Sequence, residues 1–153
     1  MKIVKEKFVI QDILVEIIPR LHGLTDKHDF VSNFSKGKIL INADKEKISQ
    51  VLINLLSNAI KYSPNGGEIQ VQCQIENDYV VCAVIDQGIG MTSEQLAHIF
   101  EKFYRVDSTN SAPEGTGLGM TIVKHIIDAH EGEIWIESQP NEGTKVIFKI
   151  LMA

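Results

Sequence analysis

Apolar residues recur at helical spacing in some stretches of this chain and alternate with polar ones in others. Ile13, Leu14, Ile17, Ile18 and Leu21 predict a helix over about residues 11–25. Pro19 lies inside it and predicts a kink or an early end. Residues 28–34 and 38–41 read as short strands, split by Ser35-Lys36-Gly37. Asp44 is a good N-cap for a long helix over residues 45–62, which Ser63-Pro64-Asn65-Gly66-Gly67 then breaks. Alternation returns over 68–76 and 79–85, turning at Asn77-Asp78. A short helix over 93–100 follows, capped by Thr92 or Ser93, and residues 101–116 read as irregular. A third strong helix is expected over 118–130. Strands over 133–138 and 145–151 close the chain, turning at Pro140-Asn141-Glu142-Gly143.

Short turns between strands make antiparallel hairpins. The expected fold class is α+β: a two-layer α/β sandwich with three main helices on one face of a mixed, mostly antiparallel five-stranded sheet. The 153 residues suffice for one domain with a real core. A net charge of −5 argues against a nucleic-acid partner or contact with an anionic membrane, both of which need a basic face. A bound anion must then be held by a few local donors. No apolar run approaches the length of a membrane span. Residues 1–8 lack the apolar core of a signal peptide. Cys73 and Cys82 fall in predicted neighbouring strands and read as reduced core residues of a cytosolic domain.

The long helix carries polar groups where a core helix should not. With Asn54 at zero on a helical wheel, Asn58 lies at about 40°, Lys61 at about −20° and Tyr62 at about 80°. Val51, Leu52, Leu55, Leu56 and Ala59 form the apolar face. A solvated face with an Asn–Asn contact accounts for the polar edge. So does a hard-cation site, in which an amide oxygen and phosphates hold Mg²⁺ and a lysine meets the same phosphates.

Asp86-Gln87-Gly88-Ile89-Gly90 follows a buried-looking strand directly. A carboxylate there either caps its own turn or accepts from the amino group of a base such as adenine. Phe100 and Phe103 read first as packing residues, and Arg105 as a surface residue or a phosphate-gripping fork. Gly115-Thr116-Gly117-Leu118-Gly119 opens a helix, and its backbone N–H groups suit a phosphate chain.

Four boxes in register turn these separate hints into a resemblance. Asn54-Leu55-Leu56-Ser57-Asn58-Ala59-Ile60-Lys61-Tyr62 resembles the asparagine box of sensor histidine kinases. Asp86-x-Gly88-x-Gly90 resembles their first glycine box, and Phe100-Glu101-Lys102-Phe103-Tyr104-Arg105 their phenylalanine box. Gly115-Thr116-Gly117-Leu118-Gly119-Met120 resembles their second glycine box. The similarity covers nearly the whole chain. It implies the catalytic, ATP-binding domain of a two-component histidine kinase, of the GHKL (Bergerat) fold.

The resemblance implies ATP and Mg²⁺ as ligands and assigns roles. Asn58 ligates the metal, with Asn54 alongside near the phosphates. Lys61 contacts phosphate and Tyr62 lines the nucleotide pocket. Asp86 accepts from the adenine amino group, with Gly88 and Gly90 shaping the loop. Phe103 adjoins the nucleotide and Arg105 reaches the terminal phosphate. Gly115, Thr116, Gly117, Leu118 and Gly119 hold the phosphate chain under a lid of residues 101–116.

Hydrolytic members of the superfamily resemble one another in a water-activating glutamate where this chain has Asn54. Asparagine cannot act as a general base, so slow hydrolysis is expected. None of the five histidines, His22, His28, His98, His125 and His130, stands in a phosphoacceptor context. The chain therefore reads as a monomeric cytoplasmic fragment. Its nucleophile sits on a separate dimerisation domain, and a response regulator follows. An inner-membrane anchor, where one exists, belongs to the parent kinase. An anti-sigma-type protein-serine kinase of the same fold and a catalytically silent nucleotide-binding module are the alternatives. One departure is Ala129-His130-Glu131-Gly132, where the family usually has two glycines after the histidine; its effect is expected on the turn.

Overall fold

Asp44 starts the longest helix by accepting from Lys47 N–H at 3.1 Å through Oδ1. Its other oxygen, Oδ2, accepts from Val4 N–H at 2.9 Å. Burial pushes the Asp44 carboxyl up. The two N–H groups, together with the nearby His130 and Lys47, outweigh that and hold it below its ordinary range. The N-terminal segment is thereby fastened to the start of the helix.

The computed structural model describes residues 1–34, 37–102, 104 and 119–152. The elements are β1 (Glu6–Val9), α1 (Ile10–His22), β2 (His28–Phe34), β3 (Leu40–Ala43), α2 (Lys45–Lys61) and β4 (Gly67–Glu76), then β5 (Tyr79–Asp86), α3 (Ser93–His98), α4 (Gly119–Ala129), β6 (Glu133–Ser138) and β7 (Thr144–Leu151). The main sheet has five strands in the order β2-β4-β5-β7-β6. Only β2 and β4 run parallel; the other three pairings are antiparallel. Helices α1, α2 and α4 lie together on one face. Ile48, Leu52, Leu55 and Leu56 of α2 are fully buried with Ile13 of α1, Ile126 and Ile127 of α4, and Ile69 and Phe148 of the sheet. Among the described residues no helix is long and apolar enough to cross a membrane.

Three expectations are corrected. The strand expected at 38–41 is Leu40–Ala43, and it stands outside the main sheet, paired antiparallel with β1, which the pattern did not predict. The α1 helix, expected to run to about residue 25 unless Pro19 kinked it or ended it early, spans Ile10–His22 with Pro19 inside it, three residues short of that bound. Pro19 lacks the N–H that would serve the Val15 carbonyl, and both residues are exposed. The short helix ends at His98 rather than residue 100, and its cap is Thr92, in a capping box with Gln95. Cys73 and Cys82 are direct cross-strand neighbours, both buried and free. Burial raises the Cys82 thiol well above its usual range, with Cys73 adding to the rise.

His28, buried at the start of β2, secures the far end of α2. Its Nε2 lies 2.8 Å from Ser63 O and 3.0 Å from Ser63 Oγ, and its Nδ1 lies 2.6 Å from Thr25 Oγ1. Ser63 Oγ in turn donates to Ala59 O at 2.5 Å. The last turn of α2 is thus fixed against the edge of the sheet, and Asn58, Ala59 and Tyr62 with it.

Candidate functional site

Asn58 and Tyr62 of α2 and Asp86 of β5 line one cavity, open to solvent. Leu55 and Ala59 of α2, Val84 of β5, and Gly90 and Met91 of the following loop form further parts of its wall. Ile99, Met120, Ile136, Thr144 and Val146 complete the described lining. The walls are apolar, and Asp86 is the one carboxylate among these residues. Such a slot suits a flat, largely apolar ligand with a hydrogen-bond donor at one end.

Asp86 closes β5 and is 7% exposed. Burial pushes its carboxyl up to about 6, against hydrogen bonds from Gly88 and Thr144 N–H and the nearby His28, which pull it back. The Gly88 contact is to Oδ1 at 2.8 Å. Two backbone donors leave acceptor capacity on the ionised carboxylate, which has about four lone-pair sites.

The loop after Asp86 fits only because of its glycines. A Cβ at Gly88 would lie 1.8 Å from Tyr62 O, and one at Gly90 would lie 1.9 Å from Gln139 O. Gly90 also has φ +68°, which L side chains rarely adopt. Ile89 N–H donates to Tyr62 O at 2.9 Å, so the loop is bonded to the C-terminal end of α2. Sequence motifs far apart in the chain thereby become one surface.

The predicted residues distribute as follows. Asn58, Tyr62, Asp86 and Gly90 share the cavity. Gly88 backs it through Asp86 and Tyr62. Asn54 and Lys61 are half-buried on α2 and are not among the cavity's described lining. Gly119 is the first residue of α4, next to the lining residue Met120. Phe103, Arg105, Gly115, Thr116, Gly117 and Leu118 lie outside the described residues, as does most of the lid expected over 101–116. Met91, Ile99, Met120, Ile136, Thr144 and Val146 were not anticipated. Thr144 had a legible clue: it follows the Gly143 turn into the strand that pairs with β5, opposite Asp86.

Residues 43–153 match the family described as histidine kinase-, DNA gyrase B-, and HSP90-like ATPase. The chain belongs to this family. It is 36% identical over 138 residues to the sensor histidine kinase WalK of Bacillus subtilis, covering 88% of this chain and 23% of WalK. It is 34% identical over 149 residues to the adaptive-response sensory kinase SasA of Microcystis aeruginosa, covering 95% of this chain and 38% of that one. The chain thus spans less than two fifths of these relatives. Among solved structures it is similar to the mycobacterial sensor histidine kinase MprB, with TM-score 0.83, 26% identity and 97% of both chains covered. It is also similar to the catalytic domain of histidine kinase ThkA, with TM-score 0.80, 29% identity, and 98% of this chain and 97% of that one covered. The fold and the family are those of sensor histidine kinase catalytic domains.

Proposed function

We propose that residues 1–153 form the ATP-binding domain of a protein-histidine kinase. It binds Mg²⁺ and ATP and transfers the γ-phosphate to a histidine on a separate dimerisation domain, from which a response regulator receives it. The observation that carries this reading is the shared cavity of Asp86 and Asn58, a carboxylate and an amide within one apolar slot. Asp86 accepts from the adenine amino group, and Tyr62, Gly88 and Gly90 shape the wall around the base. Asn58 faces the phosphates.

The residues fit a metal carried by the nucleotide. Among the described residues no group of three His, Cys, Asp or Glu side chains could hold an ion. In this reading Asn58 supplies a protein ligand, with phosphate oxygens and water filling the other positions, as Mg²⁺ commonly takes. When bound, Mg²⁺ neutralises phosphate charge and orients the terminal phosphoryl group.

This chain's own residues act by positioning and charge. Lys61 and Arg105 balance the phosphates, and Gly115, Thr116, Gly117, Leu118 and Gly119 offer backbone N–H groups. Phe103 packs by the nucleotide. Asn54 stands near the phosphates and cannot take a proton from water. Transfer to an incoming imidazole is therefore favoured over hydrolysis. Buried free thiols support a reducing, cytoplasmic setting.

The test supplies γ-labelled ATP and the parent kinase's dimerisation domain to the purified chain. Acid-labile label on that domain is expected. Acid-stable label would indicate a serine kinase instead, and no label would contradict the reading. Rapid MgATP hydrolysis by the chain alone, lost on Asn54→Ala, would overturn the assignment of Asn54.

A further inference from the structure

The loop after β5 and the turn joining β6 to β7 touch backbone to backbone. Asn141 N–H donates to Ile89 O at 2.7 Å. One side chain, Ser138 at the end of β6, ties the two together. Its Oγ accepts from Met91 N–H at 2.9 Å and donates to Gly143 O at 2.8 Å. It also lies 2.9 Å from Thr144 Oγ1.

A hydroxyl has one proton and two acceptor sites. The Ser138 proton is committed to Gly143 O, a carbonyl with no proton of its own. In the contact between the two hydroxyls Thr144 must therefore be the donor. Ser138 is then saturated, with two bonds accepted and one donated. Thr144, its own proton committed, has only acceptor capacity left for a ligand. Both Met91 and Thr144 line the cavity, and Thr144 N–H donates to Asp86. The ionised Asp86 carboxylate is likewise acceptor-only.

We propose that Ser138 is a positioning residue for base selection: it turns the Thr144 hydroxyl into an acceptor beside Asp86 and holds Met91 against the cavity. The polar end of the slot then takes a purine with a 6-amino group and refuses one with a 6-keto oxygen. This rests on the reading that the Asp86 end of the cavity takes the base. Ser138 touches no ligand in this scheme and acts through Thr144 and Met91.

The test titrates metal-free ADP and IDP, which differ at the purine 6-position, into the 153-residue protein and its variants by calorimetry. The parent protein is expected to prefer ADP. Ser138→Ala should weaken ADP about tenfold while IDP changes little, so the preference narrows. Ser138→Thr keeps the hydroxyl and should hold the preference within about threefold. Ser138→Ala with the parent's preference intact would overturn the proposal. So would an equal loss of ADP and IDP, which marks a merely structural role. A parent that fails to distinguish ADP from IDP overturns the base assignment at Asp86 and this inference together. Should Ser138→Ala fail to fold, Thr144→Val removes the acceptor directly. It must narrow the preference, and an unchanged preference overturns the proposal.

Discussion

Gly88 meets Tyr62 so closely that a Cβ added at Gly88 would lie 1.8 Å from the Tyr62 carbonyl oxygen. That carbonyl already accepts from Ile89 N–H. The end of α2 and the loop after β5 therefore move as one unit, and this unit sets Asn58 and Asp86 in the same cavity. Gly88→Ala must push backbone apart. Expected are a loss of ~2–4 kcal/mol of stability in urea unfolding and at least a tenfold rise, roughly, in the ADP dissociation constant.

Gly119 gives the opposite combination. Among the described residues a Cβ there would meet nothing within 4 Å, and the residue opens α4. Gly119→Ala should leave stability unchanged or raise it by up to ~1 kcal/mol, since alanine is the better helix former. Its ADP affinity should nevertheless fall roughly several-fold, because the proposed site sets the phosphate chain against this backbone. Unfolding curves and calorimetry on the same variant separate the two effects.

Asp86 makes stability and binding respond oppositely to pH. Its folded-state value of about 6 exceeds the ordinary 3.8. The stability it contributes is fully present below about pH 4 and is lost as pH rises through about 6. Asp86→Asn removes the buried charge while keeping an acceptor for Gly88 N–H. Its NH₂ cannot accept from Thr144 N–H, a loss felt at every pH, but its stability relative to the parent should rise by up to ~3 kcal/mol between about pH 4 and pH 7. Binding runs the other way. The single acceptor oxygen of asparagine is taken by Gly88, and its NH₂ then opposes the amino group of adenine. For the parent, the preference for ADP over IDP should decline as pH falls through about 6. The comparison cancels phosphate titration, which both nucleotides share.

Glu131 occupies a left-handed conformation, φ 57°, where α4 turns into β6. This is the helix-terminating position that glycine prefers. Glu131→Gly should stabilise the fold by about 1 kcal/mol and leave ADP affinity unchanged. The neighbouring His130 is structural too. Its Nε2 accepts from Asp44 N–H at 3.0 Å, and its Nδ1–H donates to Ile126 O at 2.8 Å. His130→Phe leaves the buried Asp44 N–H without that acceptor and should cost ~1–3 kcal/mol in urea unfolding.

The elements with strong local codes were legible in the sequence. Asp44 and the apolar stripe from Ile48 to Ala59 define α2 almost to the residue. The Asn77-Asp78 turn between alternating runs defines the β4–β5 hairpin. What depended on distant partners was not. The β1 strand has four residues, two of them exposed and charged, and exists through its pairing with β3 far along the chain. Ile39, Ile41 and Ala43 are all fully buried, so alternation alone could not place the strand at 40–43 rather than 38–41. In the site, Asn58, Tyr62, Asp86 and Gly90 carry motif identity. Thr144, Met91 and Ile136 matter only through sheet register and loop packing, which spacing does not encode.

The central claim is that one cavity takes the base at Asp86 and the metal-bound phosphates at Asn58. Calorimetric titration of ADP, with and without Mg²⁺, into the parent, Asp86→Asn and Asn58→Ala tests it most directly. Asp86→Asn should lose affinity in both conditions. Asn58→Ala should lose only the part of the affinity that Mg²⁺ adds, with metal-free ADP binding largely intact. Parent-like binding by both variants, with and without the metal, would contradict the account.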